Sequence, residues 1–217
     1  MTTVAHASPA QSHSAFIRAR IGSLLAVLPL SVWTVVHLWN NLAVFQGEAK
    51  WQSQVTDQSH PLAPVFTAVV VLLPLVLHAI WGIGRLLTSR PNNNRYGYFA
   101  NFKYLIQRLS AIGVLLFLGA HIWLALLKPR FIDGHAERFA DIAHEMRFHT
   151  PTLIVYLLGT LGVAYHVANG LQTFAMGWGL VRSKQALRRL DGAAIGLFVV
   201  LLAMSWGAIY GLFQAGQ

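Results

Sequence analysis

No cysteine occurs among the 217 residues. That absence excludes a disulfide, a thiolate zinc site and an iron–sulfur cluster ligated by this chain. Charge is scarce as well: 11% of the residues are charged and 55% are hydrophobic, whereas a soluble domain carries about a quarter charged residues. Acids are the rarer sign, seven against sixteen basic residues, which leaves a net charge of +9. The first twenty residues are polar, with no apolar core and no small-residue cleavage site. The first apolar stretch is therefore expected to stay in the protein rather than leave as a signal peptide.

What is abundant is apolar length. Five stretches, at about 21–44, 62–87, 104–127, 151–178 and 192–213, each reach the roughly 20 apolar residues that cross a bilayer as a helix. None has an interior Lys, Asp or Glu. The expected fold is all-α, an integral membrane bundle of five transmembrane helices over residues 18–217, preceded by a tail at 1–17. In the third loop Phe139, Ile142, Ala143 and Met146 recur at helical spacing, which predicts a short amphipathic helix on the membrane surface. Trp39, Trp51, Tyr96, Tyr98, Trp178 and Tyr210 near the span ends fit interfacial belts.

Charge sets the orientation. The N-terminal tail, the second loop with its flanks and the fourth loop hold eleven of the sixteen basic residues and one acid, Asp191. The first and third loops hold the other five and six acids: Glu48, Asp57, Asp133, Glu137, Asp141 and Glu145. Basic loops stay in the cytoplasm, so the N-terminus is expected inside and the C-terminus outside. The positive excess is then a topology signal, and nucleic acid is not needed to explain it.

Four histidines stand out: His37, His78, His121 and His166 each lie about 16 residues into one apolar stretch. Ionisable side chains inside a bilayer are costly and mark function. The first and third spans run outward, so His37 and His121 sit roughly 24 Å from the inner surface at 1.5 Å per residue. His78 and His166 lie equally far from the outer surface. The result is two pairs, roughly 18 Å apart along the normal of a core about 30 Å thick. Two imidazoles from facing helices suit a low-spin haem, whose filled axial positions leave electron transfer as its chemistry. Zinc would need four ligands at one point. Glycines near the histidines (Gly82, Gly84, Gly113, Gly119, Gly159, Gly162 and Gly170) would permit close approach of a macrocycle, although glycine is frequent at membrane helix contacts in any case. The remaining histidines, His6, His13, His60, His135, His144 and His149, lie in the tail or loops and read as solvated surface.

The wording around the four histidines is specific. The stretches 18–41, 73–82, 95–123 and 165–179, with Pro74-Leu75, His78-Ala79 and Gly82, Tyr98-Phe99, Gln107-Arg108, and His166 with Asn169-Gly170-Leu171, resemble the dihaem cytochrome b membrane subunit of succinate:quinone oxidoreductases. The resemblance runs through all five spans. It implies two haem b groups, the distal one on His37 and His121 and the proximal one on His78 and His166. It implies a flavoprotein and an iron–sulfur protein docked on the cytoplasmic face, with FAD and iron–sulfur clusters on those partners only. It also implies a multi-pass home in the bacterial inner membrane among lipid and quinone. Electrons would pass from the iron–sulfur subunit to quinone, and succinate would never touch this chain. Menaquinone is the expected quinone: electrons moving outward from a negative interior gain about 2.3 kcal/mol per charge per 100 mV, which helps reduce a low-potential acceptor.

Ser23, Arg20 and Arg108 are candidates for contacts to haem propionates at the inner surface, against a snorkelling role for the arginines. Two departures from the family pattern matter. Many relatives have His-Ser where this chain has Gly22-Ser23, and a glutamate found in some dihaem fumarate reductases is replaced by Ala164. The second departure favours succinate oxidation. The alternatives are the cytochrome b of a fumarate reductase or of another quinone-linked oxidoreductase, and, from another class, a transporter without haem. A transporter should show buried charges and broken helices in its spans.

Overall fold

The computed structural model describes residues 9–57, 60–88 and 97–217. His6, Arg90, Arg95 and Tyr96 lie outside the described residues, as does the side chain of Arg18. Among the described residues there is no strand, and five helices are long and apolar enough to cross a membrane. They are Arg20–Gln46, Ala63–Thr88, Phe99–Asp133, Thr150–Gly177 and Lys184–Ala215, the first to fifth spans. This makes the chain a multi-pass membrane protein. In lipid every backbone donor must be satisfied within the chain, and a helix does this locally.

The third and fifth spans outrun their apolar stretches, because the helices continue into polar flanks that pair with one another. Lys103 of the third span reaches Asp191 of the fifth at 2.9 Å. Gln172 of the fourth span joins both, through its Oε1 to Lys103 at 3.4 Å and through its amide N–H to Asp191. Glycine ends two of the rods: Gly47 at φ 96° follows the first span, and Gly134 at φ 77° follows the third. Side chains with a Cβ avoid that region.

Four π-helical segments interrupt the first three spans, at Ala26–Ser31, Thr67–Leu72, Trp123–Leu127 and Pro129–Asp133. Proline accounts for their positions. Pro29 lies inside the first, Pro74 follows the second by two residues and Pro129 opens the last. A proline ring crowds the carbonyl four residues earlier and offers no N–H, so the local turn widens. His37 and His78 each lie six residues beyond a widened turn, and His121 lies two before one.

The fourth span packs along both the third and the fifth, whereas the second and third spans barely meet. Within lipid, close packing relies on small residues rather than on the hydrophobic effect. Gly159 receives the ring of Phe117 directly onto its backbone.

Packing differs where the chain leaves the apolar layer. The third-loop helix, Phe139–Phe148, forms as its spacing predicts, but its apolar face does not lie on the membrane. Phe139, Ile142, Ala143 and Met146 are buried against the fourth and fifth spans and the first-loop helix, Glu48–Val55. Burying each large side chain there contributes about 2 kcal/mol. Trp51 is part of the same cluster, 5.5 Å from Phe139 and 3% exposed, so it is a core residue and not a belt residue. Gln52 pins the start of the third-loop helix, donating to the Glu137 carbonyl at 2.9 Å and accepting from the Phe139 N–H at 2.9 Å.

Candidate metal centres

The four histidines meet in two pairs, and the partners are those expected from depth. His37 and His121 have ring centres 5.8 Å apart, and His78 and His166 have theirs 6.3 Å apart; both pairs cross at 70°. A metal held between two facing imidazoles separates the ring centres by about 6 Å, given bonds of about 2 Å on each side and roughly 1 Å from nitrogen to ring centre. Both ring spacings are close to that figure. Among the described residues no group of three or more His, Asp or Glu side chains could hold a metal, so a third protein ligand does not enter.

A ligating histidine normally has its second ring nitrogen held by a neighbour, which sets tautomer and ring orientation. Three of the four show this. His78 Nδ1 lies 2.9 Å from the Gly22 carbonyl. His121 Nδ1 lies 3.2 Å from the Tyr156 hydroxyl. His166 Nδ1 lies 3.3 Å from the Ser110 hydroxyl, which donates its own proton to the Gln107 carbonyl at 2.9 Å. In each case Nε2 is left for the facing partner. At His37 the Asn41 amide sits 3.4 Å from Nε2, but it bonds more closely, at 2.8 Å, to the His37 carbonyl. Trp33 and Phe117 stack on His37 and His121, at 6.0 and 5.5 Å.

Gly22 explains the first departure from the family pattern. Its carbonyl accepts from His78, and the Trp81 indole lies against its backbone where a side chain would stand. Ala164, the second departure, is packed at 1% exposure and leaves no space for an acid.

The glycines divide into two sets. An added Cβ at Gly82, Gly84, Gly113 or Gly119 would meet nothing within 4 Å, whereas Gly159, Gly162 and Gly170 face Phe117, Val114 and the Gln107 amide. The first set lies on the second and third spans, which barely touch. At these four positions no other span packs against the glycine.

The three propionate candidates are not gathered on one spot. Arg20 donates to the Gly177 carbonyl at 2.6 Å, and Ser23 donates to the Arg20 carbonyl while accepting from Trp178 Nε1 at 3.3 Å. Arg108 lies elsewhere, bonded to the Tyr104 hydroxyl at 2.5 Å and the Arg85 carbonyl at 3.3 Å, with its Nε buried and unpaired.

Residues 101–205 match the family described as succinate dehydrogenase/fumarate reductase transmembrane subunit. The chain is also 27% identical over 196 residues to the succinate dehydrogenase cytochrome b558 subunit of Bacillus subtilis (strain 168), covering 90% of this chain and 96% of that protein. The chain is thus similar to this family of membrane subunits from its third span into its fifth. The family match contains His121 and His166, and the Bacillus match leaves only 21 residues of this chain outside, so all four histidines fall within it.

Several supporting residues are not apparent from sequence pattern. Tyr156 and Ser110 look like ordinary span residues, and Glu137 looks like a loop acid. Gln107 falls in a quoted motif, yet its work is visible only in space. It accepts from Asn169 at 2.8 Å and donates to the His166 carbonyl at 3.1 Å, which ties the third span to the fourth beside the histidine.

Proposed function

We propose that this chain is the cytochrome b anchor of a succinate dehydrogenase, carrying two bis-histidine b-type haems that pass electrons from an iron–sulfur partner to membrane quinone. The observation that carries this is the pairing itself: two histidine pairs on facing spans at ring spacings of 5.8 and 6.3 Å. His78 and His166 would hold the haem nearer the cytoplasm, and His37 and His121 the one nearer the outside. Low-spin haem iron supplies reversible one-electron transfer without an open site for oxygen. The chain's own residues orient three of the four imidazoles from behind, Gly22 at His78, Ser110 at His166 and Tyr156 at His121. The Gln107–Asn169 bridge keeps the spans from sliding apart.

The N-terminus inside and C-terminus outside follow from the basic second and fourth loops. The basic inner face is suited to docking a flavoprotein and an iron–sulfur subunit in a bacterial inner membrane. The packed Ala164 supports succinate oxidation over fumarate reduction, with menaquinone as acceptor. Purification of the tagged chain from native membranes tests the assembly. A flavin-containing and an iron–sulfur-containing polypeptide should accompany it, and succinate should reduce its haem bands. Haem that dithionite reduces and succinate does not would contradict the assignment to succinate dehydrogenase.

A further inference from the structure

The third loop closes over a cavity of about 410 Å³ that neither histidine pair occupies. Its walls are the last turns of the third span, beginning at Leu124 just past His121, and the third-loop helix. Glu137 lines it at 6% exposure, and one of its carboxylate oxygens, Oε2, is buried with no hydrogen-bond partner. Its backbone is clamped from behind by Gln52, so the side chain is presented by a fixed segment. A buried carboxylate without a partner is costly to keep, and a proton relieves that cost.

The surroundings suit proton collection. Lys128, Arg130 and Asp133 approach from the third span, His135 from the connection, and Asp141, His144 and Glu145 from the third-loop helix. Lys128 is engaged by Asp133 at 2.7 Å. No titratable side chain of the first-loop helix or the fifth span lines the cavity among the described residues. Burial first, then repulsion from Asp141, pushes the Glu137 carboxyl up to about 7 against the pull of Lys128 and Arg130. Such a group changes protonation in response to a small change of nearby charge at neutral pH. Phe117, Phe139, Met146 and Tyr156 form an apolar cluster beside both the cavity and His121, where screening by water is weak.

We propose that Glu137 is the proton-exchange group of the outer end, binding a proton from outside water through the cavity as an electron arrives between His37 and His121, and releasing it as that electron leaves for quinone. The inference rests on the function proposed above. Its balance is one proton per electron: a carboxylate becomes a carboxylic acid on electron arrival and reverts on departure. Two turns match the two electrons and two protons that convert a quinone to a quinol.

The test is a redox titration of the purified complex on either side of neutral pH, for wild type, Glu137→Gln and Glu137→Asp, with redox-difference infrared spectra. The centre assigned to His37 and His121 is identified as the one lost in His37→Ala. In wild type its midpoint should fall with rising pH, approaching about 59 mV for each tenfold change in proton concentration. Glu137→Gln should flatten that slope, and Glu137→Asp should retain a shifted one. Reduction of wild type should also produce a carboxylic-acid carbonyl band that is missing in Glu137→Gln. Should Glu137→Gln fail to assemble, the wild-type band and its shift in Glu137→Asp decide. Equal slopes in wild type and Glu137→Gln, or no carbonyl band, would overturn the proposal and leave the two-haem account standing. A complex without haem would overturn both.

Discussion

At the pair formed by His78 and His166 the neighbours are a backbone carbonyl, a serine hydroxyl and the amides of Gln107 and Asn169. At the pair formed by His37 and His121 they are Trp33, Phe117, the Tyr156 phenol and the Asn41 amide. The ring geometry is nearly the same, and what stands behind the rings is not. None of the groups around the first pair titrates near neutral pH. The second pair lies on the side of the molecule that carries the buried Glu137 and its cavity. On the function proposed above, the difference would separate a centre that holds position and passes electrons from one where electrons and protons are exchanged together.

Steric substitutions should break this comparison most strongly, one side at a time. A side chain at Gly22 would stand in the Trp81 ring and displace the carbonyl that holds His78. A side chain at Gly159 would stand in the Phe117 ring that stacks on His121. Overpacking costs about 1–3 kcal/mol, on the order of 5-fold to 150-fold in retention. Gly22→Val should therefore lose the proximal haem and keep the distal one, and Gly159→Val should do the reverse, as read from haem content and the surviving absorption band.

Substitutions behind the rings should have smaller effects of the same polarity. Gln107→Leu leaves the buried Asn169 amide without its acceptor and unties the third span from the fourth. Loss of such a supporting contact lowers metal affinity by about 10-fold to 100-fold, and dilution or mild detergent should strip the proximal haem first. Tyr156→Phe keeps the aromatic packing and removes the acceptor for His121 Nδ1–H, a change of about 1 kcal/mol. It should leave both haems bound and shift the band and midpoint of the distal one alone. A shift of the proximal centre in Tyr156→Phe would blur the distinction between the pairs.

Much of this was legible in the chain because membrane helices expose their constraints. Apolar length outlined five spans, and equal offsets along antiparallel helices put His37 level with His121 and His78 level with His166, the same partners whose rings lie near each other in space. Span ends were underestimated where polar residues compensate one another, as Lys103 and Asp191 do. The amphipathic pattern at residues 139–146 correctly gave a helix, but a helix face reads the same whether lipid or protein covers it. Burial of Glu137 depends on the docking of that helix and on Gln52, more than eighty residues away in the chain, and local pattern carries no trace of it. Gly22 read as a missing histidine, because a backbone carbonyl has no letter of its own.

The central claim is that the pairs are two separate centres, and haem quantified per polypeptide tests it most directly. Reduced-minus-oxidised spectra of wild type, His37→Ala and His78→Ala would be measured on the assembled complex. The account predicts two low-spin haems per chain in wild type and one in each variant, with a different band missing in each. Loss of the same band in both variants, or no haem in assembled wild type, would contradict it.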